Sequence, residues 1–454
     1  MHRTESKLGT EKVGKLLFNL AVPAVTAQIV NMLYNLVDRI YIGHLPNIGN
    51  TALTGVGVTF PIIMIISAFS ALIGMGGAPR ASIKMGEKKH KEAEQILGNC
   101  FAALIFVSIL LTAVFLIFNE KFLWMFGASP STIQYGLSYL NIYVCGTIFV
   151  QLALGLNPFI TSQGFAKMSM LTVLIGAISN IILDPILMFG LGMGVEGAAL
   201  ATVISQAISA LWVLRFLFGK KTILKIHKEN MKIKASILVP VLLLGMSPFI
   251  MQSTESLLNI SFNSSLQIYG GDLAVGSMTI LTSLMQLFSL PIMGLIQGAQ
   301  PIISYNYGAR NNERVKKAFK LLLISTITYG TLFWLSMMTF PQLFVTLFNK
   351  NASLVEFTTW SLHIYMSLTF VLSAQFTCQQ TFIAVGQAKI SVFLALLRKI
   401  VLLIPLIYIL PNFFENKVFA VLLAEPISDL IAVTVTVITF SISFKKILAK
   451  NVPC

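Results

Sequence analysis

Long apolar runs, separated by short polar or Gly/Pro-containing breaks, recur along the whole chain. At roughly 20 apolar residues per membrane crossing, they predict twelve helices. These fall at 14–43, 52–79, 94–118, 132–159, 168–190, 196–218, 236–268, 273–305, 316–347, 355–384, 390–411 and 417–443. The fold class predicted is an all-α membrane protein with a lipid bilayer as its environment.

The basic residues follow the same pattern. With the N-terminus placed inside, 26 Lys and Arg lie in the inner tails and loops, and only Lys121, Lys350 and Lys417 lie outside. Arg39, Arg398 and Lys399 fall within predicted helices. Lys and Arg collect in cytoplasmic loops, so this split predicts cytoplasmic N- and C-termini and an even number of spans. One long charged connector, KKTILKIHKENMKIK at 220–234, lies near the midpoint. It is read as a solvated, amphipathic linker at the inner leaflet. The expected organisation is an N-terminal lobe (1–219), a basic linker (220–235) and a C-terminal lobe (236–454).

The two halves repeat each other. At an offset of 222, Gly76 pairs with Gly298, Pro79 with Pro301, Gly86 with Gly308, Gly164 with Gly386 and Lys167 with Lys389. Glycines and prolines in register imply one backbone geometry used twice. The first helices of the halves align at 224, where Gln28, Asn31 and Asn35 match Gln252, Glu255 and Asn259. Six spans per half leave both halves facing the same way. Transporters built from such parallel repeats bind substrate between them and rock to alternate access.

Polar residues inside spans are expensive and mark functional candidates. Gln28, Asn31, Asn35 and Asp38 share one face of the first helix by their spacing of three, four and three. Tyr34 sits one turn before Asp38. On the fifth helix Asn180 and Asp184 share a face, and Pro185 follows. That proline leaves the Ile181 carbonyl without its helical donor, so a kink with exposed acceptors is expected beside the carboxylate. Asp184 lies 17 residues beyond Lys167, and roughly 26 Å of helix at 1.5 Å per residue puts it in the outer half of the bilayer with Asp38. An acid so placed takes a proton, binds Na+ with nearby Asn and carbonyl oxygens, or pairs with a cationic substrate. Asp38, Asp184, Asn180 and Asn35 are therefore the expected cation-coupling residues for H+ or Na+, with Asp38, Asp184 and Asn180 as the metal ligands if the ion is Na+. Gln28, Asn31, Tyr34, Gln252, Glu255 and Asn259 are the expected substrate-cavity residues. Structural hydrogen bonding is the competing reading of each acid.

The second half differs. Phe262 and Leu406 stand where the first half has Asp38 and Asp184. Glu255 is left between a ligand role and a packing role. Glu425 and Asp429, at i and i+4 of the last helix, are read as structural ion-pair partners of Arg398 and Lys399.

Composition narrows the class. The chain has 454 residues, of which 56% are hydrophobic and 11% charged, with mean hydropathy +0.82. A soluble domain carries about 25% charged residues, so soluble enzymes, disordered chains and disulfide scaffolds are excluded. The net charge of +15 reflects topology rather than a nucleic-acid partner. Cys100, Cys145, Cys378 and Cys454 lack metal or disulfide spacing, and Cys454 as last residue is no prenylation site. The segment from Met1 to Lys15 has no signal-peptide pattern. No G-x-x-x-x-G-K-[ST] or H-E-x-x-H occurs, so neither ATP hydrolysis nor a bound cofactor is expected, and the protein is not read as an enzyme. The GMGG at 74–77 is read as close helix packing. Phe, Met and Tyr, at 33, 19 and 11 residues, suit amphipathic organic cations, although membrane helices are rich in them generally.

Together NMLYNLVDRIYIGHL (31–45), GMGGAPRASIKMGE (74–87), SNIILDPILMFGLGMGVEGAALAT (179–202), LPIMGLIQGAQPIISYNYGAR (290–310) and AVGQAKIS (384–391) carry a resemblance over nearly the whole chain. The sequence resembles the multidrug and toxic compound extrusion (MATE) family, particularly its MepA-like bacterial branch. The resemblance implies two six-helix lobes forming a V around a central cavity, and cation-coupled export of amphipathic, often cationic compounds. It also implies a first-lobe acidic site at Asp38 and Asp184 with Asn180 beside them, a bacterial cell membrane and a monomer. Another branch pairs a seventh-helix glutamate with a tenth-helix aspartate for Na+. Glu255 lies near the first position, but the tenth helix has only Glu356 at its outer edge and departs from that pattern. The alternative function is flipping of lipid-linked precursors, which calls for a basic cavity.

Overall fold

The computed structural model describes residues 3–46 and 48–450. Met1 and Cys454, on which the leader and prenylation readings rest, lie outside the described residues. Among those described the chain is helical with no strand, and it makes twelve spans. They are α1 (Val13–Gly43), α2 (Gly49–Gly86), α3 (His90–Ile117), α4 (Ile133–Cys145 continued by Thr147–Ser162), α5 (Ala166–Gly190) and α6 (Gly194–Leu217). Then come α7 and α8, the two arms of the run Ala235–Gly308, followed by α9 (Asn312–Thr339), α10 (Ala352–Tyr365 continued by Thr369–Ala384), α11 (Ala388–Asn412) and α12 (Lys417–Lys450). The arms of the 74-residue run meet at Gly271, whose φ of 62° and ψ of −159° suit a residue without a Cβ. α4 bends by 58° at Gly146, a break that its unbroken apolar run concealed.

α2, α8 and α12 overshoot their apolar segments and end at Gly86, Gly308 and Lys450 rather than 79, 305 and 443. The stretch after Pro79, expected as loop, is two more turns of α2. Packing explains the difference. A Cβ on Gly86 would land on the Tyr305 carbonyl, and one on Gly308 on the Ile83 carbonyl, so these helix ends are held by each other.

Glycine also joins the lobes. Gly76 of α2 lies against Val241 and Gly245 of α7, while Gly298 and Gly294 of α8 lie against Ala21 and Val25 of α1. The contact of Gly76 with Gly245 thus recurs as Gly298 with Ala21, each residue meeting the repeat partner of the other's. Helices in lipid associate through such close van der Waals approach. The rest of the GMGG serves the first lobe, with Gly74 against the Gly155 carbonyl and Gly77 against Cys100 and Phe159. The expected close packing is found at each of these positions.

Local geometry repeats with the sequence. Gly164 and Gly386 have φ of 88° and 78°, and Lys88 and Arg310, also 222 apart, have φ of 63° and 58°. Ser82 Oγ donates to the Ser162 carbonyl at 3.4 Å, and Ser304 Oγ to the Ala384 carbonyl at 2.7 Å. These turns, the residues around Leu8 and the 220–234 connector all gather at one end of the bundle, where most Lys and Arg lie.

The connector is amphipathic: Lys221, Lys228, Lys232 and Lys234 are exposed while its other face docks on the first lobe. Gln163 Oε1 accepts from Thr222 Oγ1 at 2.9 Å and from the backbone N–H groups of Ile223 at 2.7 Å and Leu224 at 2.9 Å. Asn99 Oδ1 accepts from Lys234 N at 2.7 Å. Thr222, Leu224 and Ile226 are buried. Its apolar residues are spaced among lysines, and docking on the first lobe buries them.

A side chain at Gly245 would collide with the Leu72 backbone. Gly245→Val is expected to cost about 1–3 kcal/mol as an overpacked contact and to part the lobes at the basic end. Thermal unfolding, and the distance between spin labels at Lys89 and Lys316 in a cysteine-free background, measure both. Unchanged values would show that the lobes do not bear on each other there.

Candidate functional site

The site is assembled from short-range helical geometry. Tyr34 and Asp38 lie one turn apart on α1, Asn180 and Asp184 one turn apart on α5, and Thr202, Ser205, Gln206 and Ser209 share one face of α6. α5 packs between α1 and α6, so these polar faces turn inward together. Asp184 and Asn180 are 0% and 1% exposed. Asn180 Nδ2 donates to Asp184 Oδ1 at 3.3 Å and to Thr202 Oγ1 at 3.4 Å, and Thr202 Oγ1 donates to the Ala198 carbonyl at 3.0 Å. The Tyr34 phenol lies near Gln206 and both carboxylates. Tyr139 of α4 lies near Thr202. Asp38 and Asp184 are within electrostatic reach of each other.

Neither acid makes a direct ion pair among the described residues, although Arg39 next to Asp38 acts on it at a distance. Arg39 itself lies over the Phe60 ring at 5.3 Å. Asp38 Oδ1, Asp184 Oδ2 and Asn180 Oδ1 are buried and accept no hydrogen bond from described residues. Buried unpaired acceptors cost several kcal/mol, and a proton or a hard monovalent cation relieves that cost. Carboxylate, amide and hydroxyl oxygens are the donor set such an ion takes. Groups of three or more His, Cys, Asp or Glu that would suit a tighter metal are absent among the described residues.

Beyond Pro185, α5 continues as a π-helical turn, Ile186–Gly190. The kink expected at the proline is thus a widened turn directly after Asp184. Such turns recur at functional sites. A cavity of about 50 Å³ adjoins the acids, lined by Asn31, Tyr34, Asn157, Thr172, Asn180 and Ser205 among others. It extends from the acid layer toward the basic end, since Thr172 lies two turns below Asn180, roughly 12 Å at the helical rise.

The remaining candidates scatter. Asn31 lines the cavity. Asn35 is exposed, and its Nδ2 donates to the Asn31 carbonyl at 2.7 Å. Gln28 Nε2 donates to Gln297 Oε1 at 3.1 Å, joining α1 to α8 across the lobes. Gln252 is half-buried and Asn259 exposed on α7, sharing a face with Glu255. Thr202, Ser205, Gln206 and Tyr139 escaped the sequence reading, although the polar stripe at 202, 205, 206 and 209 carries the same periodic signal as Asn180 and Asp184.

In the second lobe every acid of the cluster is paired. Arg398 Nε donates to Asp429 Oδ1 and Arg398 Nη2 to Glu425 Oε1, both at 2.8 Å. Lys399 Nζ donates to Glu255 Oε1 and, at 2.8 Å, to the Met251 carbonyl. Both cations lie on a π-helical stretch, Leu397–Leu403. The ion-pair reading of Glu425 and Asp429 therefore holds for Arg398, while Lys399 goes to Glu255 instead.

Comparison with known proteins agrees with this plan. The sequence model of the MatE family matches residues 23–186 and again 248–409, once in each half. Multidrug export protein MepA of Staphylococcus haemolyticus is 26% identical over 420 residues, covering 92% of each chain. MepA of Staphylococcus aureus is 25% identical over 425 residues, covering 93% of each. A crystal structure of MATE in the bent conformation superposes with a TM-score of 0.92 at 22% identity, covering 99% of both chains. An outward-facing multidrug resistance MATE family transporter gives 0.90 at 22% identity, covering 97% of this chain and 98% of that one. The match falls on both repeats and spans the helices that carry Asp38 and Asp184, and the chain belongs to the MatE family.

Proposed function

We propose that the protein is a multidrug exporter, a secondary antiporter that moves amphipathic, mostly cationic compounds out of a bacterial cell in exchange for H+ or Na+. The observation that carries this reading is the contrast between the lobes: Asp184 is fully buried and Asp38 half-buried, neither with an ion-pair partner among the described residues, whereas the second-lobe acids are neutralised. An ion from outside loads the first-lobe pair, favours release of the compound outward, and leaves toward the cytosol when the lobes part at the basic end. Elementary charge moving through the full potential carries about 2.3 kcal/mol per 100 mV, enough to concentrate a compound outward. Lobes 1–219 and 236–454 are the rocking bodies, and the docked connector 220–235 travels with the first.

The excess of Lys and Arg at one end supports cytoplasmic termini there. In that orientation the glycine contacts seal the cytoplasmic side, and the conformation is outward-facing. The relatives named MepA support multidrug export. Flipping of lipid-linked phosphates is not favoured, because Arg398 and Lys399 are spent on Asp429, Glu425 and Glu255 and do not offer a basic cavity. The protein acts as a monomer and needs no cofactor.

Efflux of a fluorescent organic cation from proteoliposomes under an imposed pH or Na+ gradient tests the reading. Saturable efflux driven by one of the gradients is expected and identifies the ion. Folded protein that moves several such cations under neither gradient overturns the proposal.

A further inference from the structure

The polar cavity of the first lobe has a counterpart in the second. Its lining includes Gln379, Leu394, Arg398 and Lys399, and at the repeat offset of 222 these are Asn157, Thr172, Gly176 and Ala177, which all line the first-lobe cavity. The two spaces are one feature of the fold used twice. Their sizes differ, at about 50 Å³ in the first lobe and about 10 Å³ in the second. A water needs roughly 10–15 Å³ on such a measure, so the first admits several and the second is nearly filled. What fills it are two cationic side chains standing where the first lobe has a glycine and an alanine.

The charge change is matched. Asn31 of the first-lobe cavity corresponds to Glu255, and Ala177 to Lys399, so an amide and a methyl are replaced by a carboxylate and an ammonium. The Lys399 side chain is 5% exposed and that of Glu255 is 56% exposed. The ammonium is sheltered, bound to Glu255 and to the Met251 carbonyl, and the carboxylate is exposed. Gln375 Oε1, another acceptor lining this space, accepts no hydrogen bond from described residues.

We propose that the second lobe contains a monovalent-cation site whose cation is Lys399, tethered to the chain, so that this lobe needs no mobile ion and Glu255 is held as a carboxylate for cationic compounds. This rests on the first lobe being the ion-coupling one. Lys399 acts as a positioning residue, and removing its side chain is expected to recreate a site for a small primary ammonium ion beside Glu255.

The test is thermal unfolding of purified Lys399→Ala with methylammonium chloride, against the same concentration of choline chloride, together with transport in proteoliposomes. Methylammonium is expected to raise the unfolding midpoint of Lys399→Ala, and to leave unchanged the wild type and Lys399→Ala/Glu255→Gln. Transport by Lys399→Ala is expected to fall, and to recover with methylammonium only where Glu255 is present. Absence of a selective shift in folded Lys399→Ala, or an equal shift in the double variant, overturns the proposal. If Lys399→Ala does not fold, Lys399→Met retains the volume. It is expected to unfold at a lower temperature than Lys399→Met/Glu255→Gln, and equal midpoints overturn the proposal. The unfolding measurements need no transport, so failure of the exporter reading remains distinguishable from failure of this one.

Discussion

Asp184→Asn is expected to slow gradient-driven efflux roughly a hundredfold while the protein stays folded and still binds its compounds. The substitution preserves shape, and residue 184 retains an oxygen for Asn180 Nδ2, which donates to it at 3.3 Å. What it removes is the charge and the proton-accepting ability of a fully buried group whose second oxygen has no partner among described residues. A coupling ion then finds only Asp38 in reach. Loss of one charge-assisted interaction of about 3 kcal/mol slows an ion-dependent step roughly a hundredfold. Proteoliposome efflux, with compound binding measured separately by fluorescence quenching, separates coupling from binding. Efflux retained at the wild-type rate would move the coupling site away from the first lobe. Loss of both binding and efflux in folded protein would make Asp184 a substrate-binding group, and loss of folded protein would make it a structural carboxylate.

Arg398→Met is expected to produce the largest loss of stability in the second lobe. Arg398 bridges Glu425 and Asp429 at 2.8 Å each, and the carboxylates are 4% and 1% exposed. Removing the cation leaves two carboxylates in one apolar layer. Breaking a buried pair by deleting one partner costs about 3–5 kcal/mol, enough to deplete the folded protein in the membrane. Neutralising the acids as well, in Arg398→Met/Glu425→Gln/Asp429→Asn, is expected to restore most of the loss, because a group without charge demands no counter-ion. Thermal unfolding in detergent and the yield of folded protein measure both variants. A single variant as stable as wild type would mean that the network contributes no net stability and that Arg398 is kept for another reason.

These expectations draw on different parts of the chain's information. Asp184 was legible because the helical repeat alone brings it to Asn180, and a polar pair in an apolar run has nowhere to point but inward. The α6 stripe of Thr202, Ser205, Gln206 and Ser209 was equally periodic, but hydroxyls and amides in a span signal less strongly than a carboxylate. Asn35 follows the same periodicity, but its Nδ2 turns back to its own helix at the Asn31 carbonyl. Arg398 and Lys399 were visible as costly charges. Which acid each would meet was not, because that depends on how α11 rests on α7 and α12.

By itself, the sequence determined the twelve spans, the doubled plan, the basic end and the placement of unpaired acid in the first half. Each follows from local terms: the length of apolar chain that crosses lipid, the period of a helix, and residues recurring at a fixed offset. Tertiary structure alone decided where α2 and α8 end, that α4 bends at Gly146, that the connector docks on Gln163, and that Lys399 takes Glu255 while Arg398 takes Glu425 and Asp429. It also decided that the same cavity lies open in one lobe and filled in the other. Those outcomes turn on contacts between helices distant in sequence, where close backbone approach at glycine and the need to neutralise buried charge select one neighbour among several.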